Sequence, residues 1–187
     1  MIDADKIHGQ EEELAKEFGK IYDQYIKKIY NFVYYKTHHK ETAEDLASVT
    51  FAKAWERFNT FDQKKGFVSA WLYKIARNTV IDHYRAQKFE YDVDDVWDLS
   101  GNEDIPLDTE TKLKLEEVRK HIKFLNSSER DILIMRVWQE LSYKEIAEIL
   151  GKSEASCKMA FSRALARLKK RIPLAAVIAF FLFSSLD

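Results

Sequence analysis

Apolar residues step through the first part of the chain by three and four. Leu14, Phe18, Ile21, Tyr22, Tyr25, Ile29, Phe32 and Val33 share one side of a helix that the spacing predicts from about Gln10 to Tyr35. Its aromatics read mostly as core packing, and the residues before Gln10 as a loose arm. A polar break, Lys36 to Lys40, leads into Glu41-Thr42-Ala43-Glu44-Asp45, acids suited to the positive end of a second helix. There Leu46, Val49, Ala54 and Phe58 can face the core, while Asp45, Ser48, Ala52, Phe51 and Trp55 sit toward other sides. Large aromatics at such positions belong either to a core or to a partner contact. Asn59 to Gly66 breaks the pattern as a loop. Val68, Trp71, Leu72, Ile75, Ala76, Thr79 and Val80 then define the buried side of a third helix.

The second half repeats the helical rhythm without repeating the sequence. Leu115, Val118, Ile122 and Leu125 open it, and Ser127 or Ser128 caps a helix with Ile132, Leu133 and Val137 inside. Ser142 with Glu145 forms a capping box, Gly151 supplies a left-handed stop, and Ser153 restarts the chain. Two helices joined by so short a turn have the spacing of a helix-turn-helix. Cys157, Ala160, Phe161, Ala164, Leu165 and Leu168 point inward on the second of them. Lys158, Met159, Ser162 and Arg163, with Arg167 following, occupy the other side. An αα-hairpin with a solvated basic face would share this pattern, but the face also fits a DNA major groove.

Charge separates these halves. The net charge is only −1, yet Lys152 to Arg171 holds seven cations and one acid, and Phe89 to Thr111 holds nine acids and no Lys or Arg. Like charges and few apolar residues make Phe89 to Thr111 a linker. Five Gly and two Pro leave little punctuation for strands, so the fold class is all-α. It consists of two small helical domains, residues 1–88 and 112–172, joined by the acidic linker 89–111, with an apolar tail at 173–187. That tail carries ten successive apolar residues from Leu174, about half of what a bilayer-spanning helix needs. It could fold back on the protein or an oligomer partner, lie on a membrane surface, or be a truncated or unusual terminus.

The polar side of the third helix is the other candidate site. Lys74, Arg77, Asn78 and Arg85, with His83 and Tyr84, mix cations, aromatics and an amide, a composition suited to unpaired bases, although a solvated face would explain the charges alone. No metal site is expected: a lone Cys and the adjacent His38 and His39 supply no ligand set. The lone Cys fits a reducing cytoplasm, and no signal peptide opens the chain. No Gly-rich phosphate loop, HExxH or nucleophile elbow is present, so a binding protein without cofactor is expected rather than an enzyme.

Three segments, ETAEDLASVTFAKAWERF (Glu41 to Phe58), FVSAWLYKIARNTVIDHYR (Phe67 to Arg85) and LSYKEIAEILGKSEASCKMAFSRALARL (Leu141 to Leu168), stand in an order that resembles a bacterial RNA polymerase sigma factor of the extracytoplasmic function (ECF) group. The resemblance covers roughly Phe18 to Arg171. It implies core RNA polymerase and promoter DNA as partners, an anti-sigma factor as a further one, and a cytoplasmic location. Asp45, Leu46, Phe51 and Trp55 would contact the polymerase. Lys74, Arg77, Asn78, His83, Tyr84 and Arg85 would hold the opened −10 strand, a base of which would enter the loop Asn59 to Gly66. Lys158, Met159, Ser162, Arg163 and Arg167 would engage the −35 duplex, and the acidic linker would thread the polymerase's RNA path. Ser48, Ser156-Cys157 and Ala160 depart from residues common in the family. The competing expectations are a stand-alone helix-turn-helix regulator, which would bind duplex tightly without polymerase, and a membrane-associated adaptor using the tail.

Overall fold

The computed structural model describes residues 4–37, 39–62, 66–86, 122 and 124–170, and these contain six α-helices. The first group is α1 (Ala4–Thr37), α2 (Lys40–Arg57), a short 3₁₀ turn (Phe58–Thr60) and α3 (Val68–Ala86). The second is α4 (Ser127–Val137), α5 (Tyr143–Leu150) and α6 (Glu154–Lys169). The acidic linker, Leu115, Val118, His38 and the apolar tail lie outside the described residues.

Helix α1 starts earlier than its apolar stripe. The expected loose arm before Gln10 is helical from Ala4. Nothing from Ala4 to Gln10 is a proline, and extending an existing helix adds one hydrogen bond per residue fixed. His39 caps α2, its Nδ1 accepting the Thr42 amide at 3.2 Å.

Helix α2 corrects the outward placement of Phe51. That ring is buried, edge-on to Phe18 and Tyr22 with centroids 6.4 and 4.8 Å away. Leu46 is buried as well, and Val49, expected inside, is exposed. The reason is that α2 packs on both α1 and α3, so its apolar arc is wider and differently centred than one stripe suggests. Val68 and Trp71 are only half-buried on α3, whereas Ser69 and Tyr73 are buried.

In the second group the turn chemistry follows the sequence closely. Ser142 and Glu145 form the reciprocal capping box, Gly151 ends α5 at φ 63°, and Ser153 accepts the Ser156 amide to begin α6. One cap moves: Asn126, not Ser127 or Ser128, caps α4, in a box completed by Glu129. Cys157, Ala160, Ala164 and Leu168 are buried as their spacing requires.

Helix α4 is buried on nearly every side. Leu133 and Val137 pack with Ile122, Leu125, Ala164 and Leu168 inside the second group. Ile132, Ile134 and Met135 instead join a cluster that runs through Phe32, Tyr73 and Ile75 of the first. A helix buried on two sides needs a neighbour on both, and here the second neighbour is the other domain.

Candidate nucleic-acid interface

Helix α6 presents its expected face. Lys158, Met159, Ser162, Arg163 and Arg167 are all exposed, the apolar Met159 at 63%. Lys158 is steadied by Glu154 at 2.7 Å and lies over the Tyr143 ring. Arg167 differs from the rest, since its guanidinium reaches the Glu129 carboxylate of the α4 capping box at 3.2 Å. It braces α4 against α6 as well as facing outward. Ala160, where the resembling family often has arginine, is buried, so this position presents no side chain to a groove. Cys157 is buried too, and that burial pushes its thiol up, against Lys152 and together with Glu154.

Helix α3 divides its expected residues. Lys74, Asn78 and Arg85 form one exposed stripe. Tyr84 is half-buried, its phenol pushed up by burial. His83 lies roughly opposite Lys74 at 100° per residue. Burial pushes its imidazole down, with Asp45 of α2 opposing. Ahead of α3, Phe61 stacks on Trp71 at 4.6 Å, and residues 63–65 lie outside the described residues.

The expected polymerase contacts also separate. Trp55 is 43% exposed and rests edge-on against Phe18 at 5.1 Å; Tyr22, one turn along α1 from Phe18, is exposed as well and meets Phe51. Asp45 is ten residues away, about 15 Å along the helix. Tyr22 was hidden from sequence reasoning because it falls within the apolar stripe of α1. Ser48, in place of the family's common glutamine, turns back to the Glu44 carbonyl at 2.9 Å.

Arg77 is the residue that the two domains share. Its Nε donates to Asp131 Oδ2 at 3.1 Å, and Lys36 of α1 holds the other carboxylate oxygen. Asp131 is buried on α4. Two further bonds cross the same boundary one and two helical turns along α3: Tyr73 donates to Gln139, and Ser69 donates to Glu145. Tyr35 and Trp138 pack ring to ring across it at 5.2 Å. Burial alone would raise the Asp131 carboxyl, but Lys36 and then Arg77 hold it below the usual carboxylate range. Burial likewise opposes, and bonds from Ser142 and Ser69 outweigh it to lower, the Glu145 carboxyl.

Those depressed carboxyls give a pH dependence to domain docking. Their contribution is complete above the unfolded value of about 4 and is lost as pH falls through the lower folded value. Acidification below about 4 is therefore expected to separate the domains before the helices melt. Tryptophan emission should shift red in the wild type and shift less in Trp138→Phe, while far-ultraviolet dichroism holds. Loss of both signals together would contradict the separation.

A helix-turn-helix with an open basic face, beside a helical domain that carries an exposed cation-and-amide stripe, is an arrangement suited to a nucleic-acid-binding protein. Residues 21–90 match Sigma-70 region 2, and residues 115–168 match Sigma-70 region 4. The chain belongs to the sigma-70 family, in its ECF group. It is 36% identical over 161 residues to the RNA polymerase sigma factor YlaC of Bacillus subtilis, covering 81% of this chain and 90% of that one. It is 34% identical over 165 residues to the ECF RNA polymerase sigma factor BldN of Streptomyces coelicolor, covering 85% of this chain but spanning only 61% of that relative. Among solved structures, the sigma factor RpoE, in complex with the anti-sigma factor NepR from Bartonella quintana, superposes with a TM-score of 0.68 at 25% identity, over 83% of this chain and 96% of that one. Among the described residues, no helix is long and apolar enough to cross a membrane.

Proposed function

We propose that this chain binds core RNA polymerase and directs it to promoters through two DNA contacts. Residues 1–88 supply the −10 contact, residues 112–172 the −35 contact, and the acidic linker 89–111 the tether between them. The observation that carries this is the open face of α6, where Lys158, Met159, Ser162 and Arg163 are solvent-exposed on a capped helix-turn-helix. Such a face approaches duplex DNA from the major groove. Lys74, Arg77, Asn78, Tyr84 and Arg85 hold the separated −10 strand, with His83 behind them positioning α3 against α2. Trp55 and Tyr22 anchor the polymerase, Asp45 adds a separate charged contact, and Leu46 and Phe51 support that surface from within.

The chain makes and breaks no covalent bond in this scheme. Melting is driven by capture: unstacking a base costs a few kcal/mol, which stacking and charge contacts to the strand offset. An anti-sigma factor is a further partner, supported by a similar sigma factor solved in complex with such a protein.

Reconstituted transcription tests this reading. Purified chain and cognate core enzyme on a genomic fragment library should yield transcript starts that depend on the chain and share paired upstream elements. Core binding without dependent starts would defeat it. Arg163→Ala is expected to reduce discrimination at one position of the −35 element by about 1–3 kcal/mol. A uniform loss across sequences with a shallower salt slope would make Arg163 a phosphate contact instead.

A further inference from the structure

The side of α3 that carries Ser69, Tyr73 and Arg77 is a polar seam, and each of the three bonds a different residue of the second domain. Ser69 takes Glu145 of α5, Tyr73 takes Gln139, and Arg77 takes Asp131 of α4. The residues recur every fourth position, so they form one ridge, and Arg77 lies where that ridge meets the exposed stripe of Lys74 and Asn78. Around the seam, Ile134 and Met135 are fully buried, and the ammonium of Lys144 lies over Phe67 at 5.2 Å. Asp131 is only 3% exposed and accepts from both Lys36 and Arg77.

Such a contact has an asymmetric consequence. It leaves the outer face of α6 open, and it leaves Trp55 and Tyr22 open. Of the residues assigned to the −10 strand, it engages Arg77, through Asp131. We propose that the free chain closes on itself through this seam, with Asp131 as the latch, and that closure withholds Arg77 from single-stranded DNA until the domains part. Duplex and polymerase contacts can then form before the strand contact. The apparent affinity for a strand is lowered by the fraction of molecules that are open. The withholding half of this inference rests on the assignment of Arg77 to the −10 strand, whereas the closure half does not.

Small-angle scattering on the full chain, with binding of a short random-sequence single-stranded DNA, tests the two halves separately. Asp131→Asn keeps the shape and removes the charge, and Tyr73→Phe breaks the seam without changing charge. Both are expected to enlarge the radius of gyration above the wild-type value at unchanged helicity. Both should also tighten strand binding, by about tenfold for Asp131→Asn if the wild type is about one-tenth open. Arg77→Ala should cost more affinity in the Asp131→Asn background than in the wild type, because only there is the guanidinium free. If Asp131→Asn loses its helices, Tyr73→Phe carries the same comparison. Scattering curves of folded variants that superpose on the wild type would overturn the latch, as would tightening in Asp131→Asn alone, which marks a mere charge effect. Expansion in both variants, with Arg77→Ala costing nothing in the opened background, would instead overturn the strand assignment of Arg77.

Discussion

Phe51→Ala is expected to destabilise the first domain by about 3–5 kcal/mol, the range for deleting a buried aromatic. The ring is 4% exposed and meets Phe18 and Tyr22 edge-on. The cavity opens against those two rings, and Phe18 is itself held by Phe58 and Trp55 at 5.2 and 5.1 Å. Neighbours held by several contacts relax little into such a space, which keeps the cost high within that range. Thermal unfolding should show it as a fall in Tm on the order of 10 °C for a chain of this size. Equal melting of the variant and the wild type would sink the core placement. Any loss of polymerase binding in this variant is then secondary to unfolding and says nothing about contact.

The misplacement of Phe51 from sequence has a physical origin. A period of 3.6 identifies one buried arc, but α2 is buried against two helices, and a ring between the arcs reads as outward. Local features fared differently. Ser142, Glu145, Gly151 and Ser153 were legible because caps and left-handed stops depend on backbone groups a few residues away. Where neighbours offered equal chemistry, the position slipped: Asn126, Ser127 and Ser128 can all cap, and tertiary packing of Glu129 selected the first.

The seam was illegible for a stronger reason. Ser69, Tyr73, Arg77, Asp131 and Gln139 are polar, and polarity on one helix predicts solvent, not another domain. Only Asp131 carried a hint, as an acid at the head of the apolar run Ile132 to Met135. The exposed stripes of α3 and α6 were readable as charge and small polar groups. Their division between open and engaged residues, Arg77 and Arg167 above all, needed the positions of Asp131 and Glu129.

Trp55→Ala separates contact from core. The indole is 43% exposed, so its removal leaves no internal cavity, and the loss of stability should be a small part of that in Phe51→Ala. Its effect on core polymerase is expected to be large, about 2–4 kcal/mol, or roughly 30- to 1,000-fold in Kd, the range of an interface hot spot. The expectation follows from how the ring is held. Phe18 supports it edge-on, so a partner closing over the indole orders little that was mobile and buries apolar surface already facing outward. Fluorescence anisotropy with labelled chain and cognate core enzyme measures the Kd, and far-ultraviolet dichroism confirms the fold. A folded Trp55→Ala that binds polymerase as tightly as the wild type would remove this patch from the polymerase interface. The contact would then have to be sought around Asp45, the remaining exposed member of the expected set on α2.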